Sequence, residues 1–198
     1  VAVARASRTL GFNDGLFFHL QANFLAHGTG FVDAGRLAYT FVALPSAQHP
    51  PLFPLLLAVV SKLGGHSVVA HQLACAVMSS AAVPLIGLTA RDLGGSRAGL
   101  AAAMIAAVYP NLWASDVGIM SESLYVTAIA LVLFTSCRLW KRPSVKRAAL
   151  VGVAIGIAAM VRQEAILLLP LALVPQCILQ RCLPTRRRLA LIGVALLA

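Results

Sequence analysis

Long runs without a charged side chain alternate in this sequence with short basic loops. Residues 68–90 contain no Asp, Glu, Lys or Arg, and neither do residues 98–109 or 124–137. The first run alone is long enough for an α-helix to cross the hydrocarbon core of a bilayer, which takes about 20 mostly apolar residues. The alternation is typical of a chain that crosses a membrane several times.

Composition supports the same interpretation. Hydrophobic residues make up 60% of the 198-residue chain and charged residues 11%, and the mean hydropathy is +0.87. A soluble globule of this size needs far more polar residues to cover its surface. The net charge of +10 suggests nucleic acid at first, but the basic residues form short clusters between apolar segments instead of a basic face with interleaved aromatics. We predict an integral membrane protein with the lipid bilayer, and no nucleic acid, as its partner.

The basic loops predict the orientation. Three of them organise the chain: residues 91–97, 138–147 and 181–188. Because Lys and Arg are enriched in cytoplasmic loops, all three are expected to face inward. The intervening stretches, 98–137 and 148–180, each have room for two crossings. The turns between those crossings, near residues 110–122 and 162–164, are then expected on the outer face.

The predicted architecture is an all-α, polytopic transmembrane helical bundle. Five segments are predicted to cross the membrane: residues 68–90, 98–115, 122–137, 148–161 and 163–180. Residues 51–63 are about seven residues too short to cross the membrane, so we predict a helix in the outer leaflet. The alternative is a thin span, which would reverse the predicted orientation of all preceding residues. Residues 9–50 are predicted to form a long outer loop with a juxtamembrane helix, and residues 189–198 to begin a further span. The missing initial methionine suggests a fragment of a longer protein.

The cysteines indicate neither a disulfide framework nor a metal site. They form no CxxC pair and lie within or at the ends of apolar segments: Cys75, Cys137, Cys177 and Cys182. Closely spaced pairs are the usual signature of structural zinc or redox sites. We interpret all of them as inert thiols.

A polar stripe marks the first predicted helix. Asp14 precedes an apolar-periodic segment that stops at Gly28, which is typical of a helix with Asp as N-cap and Gly after its last turn. His19, Asn23 and His27 recur at four-residue intervals opposite the apolar face, so the helix is expected to lie along the membrane surface. Asp14 is then either a cap only or a general base at the boundary between water and lipid.

Two more polar residues stand at the entrances of apolar helices. His49 precedes a proline pair that stiffens the start of the next helix; it is either part of a structural turn or a donor or cation beside a phosphate. Glu122 enters a predicted span, where a carboxylate costs about 2.5–3.5 kcal/mol at the bilayer centre and less at the edge. It is either a first-turn acid or a functional residue.

Arg162 and Glu164 lie in a turn that is predicted, from the positions of the basic loops, to be on the outer face. An arginine there runs against the inside preference of basic residues, which indicates a bound anion or an ion pair with Glu122 or Glu164. A solitary arginine that extends to the interface is the alternative.

Other polar residues near the outer side receive no firm role. Asp33 and Asp116 are interpreted as solvated loop residues, with metal or acceptor binding as the alternative. His66 and His71 flank the start of a predicted span and are expected at the interface.

The chain resembles the GT-C superfamily of polytopic glycosyltransferases. The resemblance rests on the order of five stretches: "NDGLFFHLQANFLAHGTGF", "QHPPLFPLLLAVVSKLGG", "RDLGGSRAGLAAAMIAAVYPNLW", "MSESLY" and "VRQEAILLLPLAL". It is most similar to bacterial, actinobacterial-type relatives of glycosyltransferase family 39, the protein mannosyltransferases, and of the aminoarabinose transferases of lipid A. The match covers nearly the whole chain in order.

The resemblance implies roles for particular residues. An acid at the head of a juxtamembrane helix is the catalytic base in such enzymes, which here is Asp14. The donor phosphate would contact His49 and Arg162. Further residues would line the outer cavity: His19, Glu122 and Glu164.

This sequence also departs from its relatives. Gly15 stands where many of them have a second acid, which puts a two-carboxylate metal site in doubt. Phe17 and Phe18 replace tyrosines that are common in the helix, so two hydroxyls that would touch a sugar are missing. No metal site is predicted and no cofactor is certain; a divalent cation stays open.

The implied function is a hexosyl- or pentosyltransferase in the bacterial plasma membrane, with its active site facing outward. It would move a sugar from a polyprenyl-phosphate donor to a hydroxyl of a glycan, lipid or protein acceptor, with inversion and with Asp14 as general base. A transporter or flippase of lipid-linked sugars is an alternative, but it should carry charges along a path through the spans, and the runs described above contain none. A non-catalytic membrane scaffold is the other alternative.

Overall fold

The computed structural model describes residues 10, 13–173, 190 and 192–196. In this part of the chain the regular elements are helical, and extended segments meet only in an isolated bridge between Val32 and Pro45. The predicted all-α class is confirmed for these residues. Several predictions fall wholly or mainly outside them: the end of segment 163–180, the basic loop 181–188, Cys177 and Cys182.

The helices follow one another in a simple order. In chain order they are α1 (Asp14–Ala26), α2 (Ala34–Thr40), α3 (Leu52–Lys62), α4 (Val68–Ser80), α5 (Ala82–Val108), α6 (Ala114–Val117), α7 (Glu122–Lys141) and α8 (Val145–Val161). Short 3-10 helices at Pro110–Leu112 and Gln163–Leu167 and a π-helix at Leu169–Leu173 follow α5 and α8. The chain divides into two compact units, Val1–Ser80 with Pro110–Leu124 and Ala81–Tyr109 with Tyr125–Ala198.

Helix α1 is the centre of the first unit. Its side chains Leu16, Phe18 and Leu20 are buried in one cluster with Phe53 and Leu57 of α3. Burying a large apolar side chain of this kind stabilises a fold by about 1.5–3 kcal/mol. The contact with α3 therefore fixes α1 firmly in the unit.

The ends of α1 agree only in part with the sequence prediction. Asn13 is the N-cap, because its carboxamide oxygen accepts hydrogen bonds from the backbone N–H groups of Gly15 (3.0 Å) and Leu16 (3.3 Å). The prediction that Asp14 caps the helix is wrong; Asp14 is the first helical residue. Gly28, with φ +83°, follows the last turn, as predicted.

The polar stripe on α1 is divided between the core and the surface. His19 is 6% exposed and Asn23 is partly buried, whereas His27 at the end of the helix is exposed. Burial of His19 and Asn23 is possible because these side chains find hydrogen-bond partners on other segments of the same unit.

In the second unit, α5 consists of two arms that meet at Gly95. Gly95 has φ 83° and ψ −179°, which a residue with a side chain rarely adopts. Beyond this break the arms pack closely, since a Cβ on Gly99 would lie 2.8 Å from the carbonyl oxygen of Gly87 and 2.7 Å from the Cβ of Arg91. The reversal lies within the basic loop 91–97.

The rest of the second unit is built by α8 and by α7 from Tyr125 onward. Ser144 caps α8 by accepting a hydrogen bond from the backbone N–H of Arg147 at 3.3 Å. Small and branched residues of both helices share one core: Ala128, Val132, Leu139, Val151, Ala154 and Ile155.

Two stretches of the described chain are long and apolar enough to cross a membrane. They are Val68–Val108, with a hydropathy of 1.9, and Glu122–Lys141, with a hydropathy of 1.5. Large apolar side chains are exposed on them, among them Leu73 (63%), Val77 (70%) and Ile105 (65%). Exposed apolar surface of this extent is costly in water and suits contact with lipid.

Candidate functional site

The head of α1 combines an exposed acid with a tightly packed glycine. Asp14 is exposed, and its carboxylate makes no hydrogen bond to any residue that the structure describes. Gly15 is buried against the loop before α7, where a Cβ would collide with the carbonyl oxygen of Gly118. The absence of a second acid at position 15 therefore has a steric reason: this packing leaves no space for a side chain.

His49 lies beside the same end of α1. Its ring packs against the rings of Phe17 and Phe18, with centroid separations of 4.8 and 4.7 Å. These phenylalanines follow Asp14 by three and four residues, which places them one turn further along the helix on the same side. The His49 Nε2 atom is buried and has no hydrogen-bond partner among the described residues.

Glu122 belongs to the same unit. It is the first residue of α7, is partly buried, and comes four residues after Gly118 in the sequence. Because Gly118 touches Gly15, the loop that leads to Glu122 starts at the head of α1. The structure thus brings Asp14, His49 and this loop to one end of the first unit.

Arg162 and Glu164 lie in the second unit, where they pair with each other. Arg162 NH2 donates to Glu164 Oε1 at 3.2 Å, with the two side chains 33% and 56% exposed. The Arg162 guanidinium also lies 5.8 Å from the centroid of the Tyr125 ring. Of the alternatives considered for Arg162, the structure shows the ion pair with Glu164. An exposed pair of this kind contributes at most about 1 kcal/mol to stability.

A group that sequence reasoning missed lies in the core of the first unit: four side chains linked in a closed ring of hydrogen bonds. His19 Nδ1 lies 3.0 Å from His71 Nδ1, and His71 Nε2 lies 2.9 Å from Ser61 Oγ. Ser61 Oγ donates to Asn23 Oδ1 at 2.9 Å, and Asn23 Nδ2 lies 3.4 Å from His19 Nε2. His71 is 0% exposed, so it belongs to the core of the first unit; its position at the membrane interface stays a prediction.

The ring admits a single proton arrangement when both imidazoles are neutral. Since the Ser61 hydroxyl donates to Asn23, it must accept from His71 Nε2–H, which leaves His71 Nδ1 as an acceptor. His19 must then carry its proton on Nδ1 and accept from the Asn23 amide on Nε2. A proton added to either ring would turn an acceptor into a second donor. Burial accordingly lowers the pKa of His19 below its ordinary value.

Asp116 is the second missed residue. It is 6% exposed, and its Oδ2 accepts a hydrogen bond from the Ser79 hydroxyl at 2.7 Å. Its Oδ1 is buried without a hydrogen-bond partner in the described part of the chain. Asp116 lines a cavity of about 320 Å³ together with Gln72 and Trp113. The prediction of a solvated loop residue is therefore wrong, because the loop is folded onto α4.

The remaining polar residues have simpler roles. Asp33 caps α2, its Oδ1 accepting from the backbone N–H of Arg36 at 2.9 Å. Cys75 and Cys137 are free thiols. Across the residues that the structure describes, no group of three or more His, Cys, Asp or Glu side chains is placed to hold a metal ion.

Comparison with known proteins assigns the chain to a family. No curated protein and no solved structure matches it. A family model described as dolichyl-phosphate-mannose-protein mannosyltransferase matches residues 48–198, which include His49, Glu122, Arg162 and Glu164 and begin after Asp14. The predicted resemblance is thereby confirmed. Because the match covers well over half of the sequence, the chain belongs to the dolichyl-phosphate-mannose-protein mannosyltransferase family.

Proposed function

We propose that this chain carries the active site of a membrane glycosyltransferase that uses a polyprenyl-phosphate sugar as donor. Family membership supports a membrane glycosyltransferase and a lipid-linked donor in general. The acceptor is a hydroxyl of a glycan, lipid or protein, and the transferred sugar is a hexose or pentose. The chain crosses the bacterial plasma membrane several times as a helical bundle, and the site faces outward, as the basic loops predict.

The observation that carries the proposal is the state of the polar groups at the head of α1. Asn13 provides the helix cap, so the carboxylate of Asp14 is not needed for that purpose. Beside it, the Nε2 atom of His49 is buried without a described partner. A buried polar atom without a hydrogen bond costs about 1–3 kcal/mol. We infer that this cost is tolerated because His49 Nε2 forms its hydrogen bond when the substrate binds.

In the proposed reaction, Asp14 accepts the proton of the acceptor hydroxyl. The hydroxyl oxygen attacks the anomeric carbon from the face opposite the phosphate, and the bond between that carbon and the phosphate oxygen breaks. The configuration is inverted, and polyprenyl phosphate leaves with the bonding electron pair. Hydrogen-bond donors placed where this charge develops lower the barrier.

His49 is the proposed donor within the first unit. Neutral imidazole can donate from Nε2–H, and the protonated form adds a positive charge. The role of Arg162 in phosphate binding stays a prediction from the sequence; in the structure Arg162 lies in the second unit and pairs with Glu164. Phosphate binding by Arg162 would therefore compete with that pair, which is exposed and weak. His19, Glu122 and Glu164 were proposed as cavity-lining residues; for His19 the contacts with Asn23 and His71 instead favour a structural role.

The test is sugar transfer by membranes that contain the full-length protein. Radiolabelled polyprenyl-phosphate sugars are supplied to the wild type, Asp14→Asn and the control Asp33→Asn. The control removes the same charge, and asparagine still caps α2. Loss of a general base lowers the rate by about 10²- to 10⁴-fold, so we expect that loss for Asp14→Asn only. Equal activity of the two variants would remove Asp14 from the mechanism.

A further inference from the structure

A cavity in the second unit gathers cations that the glycosyltransferase site does not use. Its volume is about 400 Å³, and it is lined by Asp92 of α5, Arg138 and Lys141 at the end of α7, Arg142, and Arg147 in the first turn of α8. The cations outnumber the single acid four to one. Like charges held close together repel one another, so a negative charge bound among them would be stabilised.

The acid in the cavity compensates only part of that charge. Asp92 Oδ2 lies 3.4 Å from Arg138 Nε, with the side chains 22% and 49% exposed respectively. The Arg138 guanidinium is also placed 4.3 Å over the Phe134 ring. For Lys141, Arg142 and Arg147, no carboxylate of the described residues lies within ion-pair distance.

Helix electrostatics explain some of these cations but not all. Arg138 and Lys141 stand in the last turn of α7, where the negative end of the helix dipole favours positive charge. Arg147 stands in the first turn of α8, where the dipole disfavours it and where no acidic residue is present. Its guanidinium donates to the backbone carbonyl of Arg142, which holds it at the cavity. A bound anion would be stabilised both by Arg147 and by the positive end of α8.

We propose that this cavity binds the phosphate group of an anionic ligand, and that the source is the headgroup of an anionic phospholipid. Guanidinium groups suit phosphate because their planar donors pair with two of its oxygens. The volume of about 400 Å³ lies within the range of small-molecule binding pockets, about 300–1,000 Å³. The location favours a lipid source over a soluble phosphate, because Arg138 and Lys141 lie in the last turn of the candidate span Glu122–Lys141 and the other two cations follow it. Lipid headgroups lie at the end of such a span. Basic pockets of this kind at the cytoplasmic ends of helices bind anionic headgroups in other membrane proteins.

The experiment measures lipid binding to the full-length protein by native mass spectrometry. The protein is released from nanodiscs of phosphatidylglycerol and phosphatidylcholine in equal amounts. The variant Lys141→Gln/Arg142→Gln is compared with Lys62→Gln/Arg36→Gln, which removes one lysine and one arginine from exposed positions of the first unit. Each basic residue near an anionic surface contributes roughly fivefold to binding, so we expect about 25-fold weaker phosphatidylglycerol binding in the first variant. The control should retain wild-type binding.

A second variant excludes misfolding as the explanation. Asp92→Asn removes the only acid among the described residues that line the cavity. It should strengthen phosphatidylglycerol binding about fivefold, a gain that a damaged protein would not show. Equal binding by the two double variants, or weaker binding in Asp92→Asn, would overturn the proposal. In a parallel arm, displacement of the lipid by millimolar glycerol phosphate with the same variant pattern would support the phosphate site but assign it to a soluble ligand. Neither arm involves sugar transfer, so the result is independent of the proposed activity.

Discussion

The middle and the head of α1 differ in how far their polar side chains are hydrogen-bonded. Towards the middle of α1, His19 and Asn23 join Ser61 and His71 in a ring that uses each donor and acceptor once. At the head of α1, Asp14 makes no described hydrogen bond and His49 buries a nitrogen without one. A satisfied polar group contributes to the fold, whereas an unsatisfied one is available to a ligand. The comparison predicts a structural role for His19 and His71 and a functional role for His49, although the three histidines look alike in the sequence.

The largest expected effect comes from replacing a histidine of the hydrogen-bonded ring by phenylalanine. We expect His71→Phe to destabilise the protein by about 2–4 kcal/mol, because two buried partners, His19 and Ser61, lose their hydrogen bonds at about 1–3 kcal/mol each. The measurement is unfolding of the purified protein in detergent. His66→Phe serves as the control, since His66 is exposed and should tolerate the change.

The complementary variant is His49→Phe. The His49 ring already packs against two phenylalanines, and the lost nitrogen has no described partner. Stability should therefore stay within about 0.5 kcal/mol of the wild type. Sugar transfer should fall about 10²-fold, as for the loss of one donor to a developing charge. Wild-type turnover in this variant would show that the unpartnered nitrogen has no part in the reaction.

The packing of the helix head gives the next prediction. Gly15→Ala should destabilise the protein by about 1–3 kcal/mol, because the added methyl group meets the backbone of Gly118, which cannot move as a side chain would. Gly156→Ala is the matched control: nothing lies near the position of its Cβ, and alanine favours a helix by up to about 1 kcal/mol. Equal melting temperatures for both variants would argue against the contact between Gly15 and Gly118.

The smallest expected effect is on pH dependence. Burial lowers the pKa of His19 below its ordinary value of 6.5. In the unfolded chain this side chain takes up a proton near pH 6.5, whereas in the folded protein it is still neutral at that pH. The unfolded state then binds more protons, and the free energy of unfolding falls as the pH drops below 6.5, by up to about 1.4 kcal/mol per pH unit. Above that pH the group contributes no slope.

His19→Gln provides the test of this assignment. The variant is expected to be less stable at every pH, because the ring is broken, so the quantity to compare is the slope of stability between pH 7.5 and pH 5.5. A slope as steep as that of the wild type would mean that other groups cause the acid sensitivity.

Sequence patterns predicted the helical class and the family because both depend on features that are local or ordered along the chain. Apolar runs predict helices wherever they occur, and the order of motifs needs no coordinates. Gly28 could be placed at the end of α1 for the same reason: its role depends only on the residues just before it.

Features that depend on distant partners were missed. The four-residue spacing of His19 and Asn23 indicates that they share a face, but only Ser61 and His71, about 40 and 50 residues later, decide that the face is buried. Asp116 was interpreted as solvated for the same reason, since its partner Ser79 is 37 residues away. Asn13 and Asp14 are both good capping residues, so backbone geometry alone decides between them.

The amide in the ring limits how protons can move through the first unit. A relay requires each member to pass a proton on and receive another, but the Asn23 amide nitrogen only donates and its oxygen only accepts. The ring of hydrogen bonds that joins α1 to α3 and α4 therefore keeps its protons in place and does not act as a proton relay. Because Asp14 is exposed, a proton that it takes from an acceptor can pass directly to bulk water without this ring.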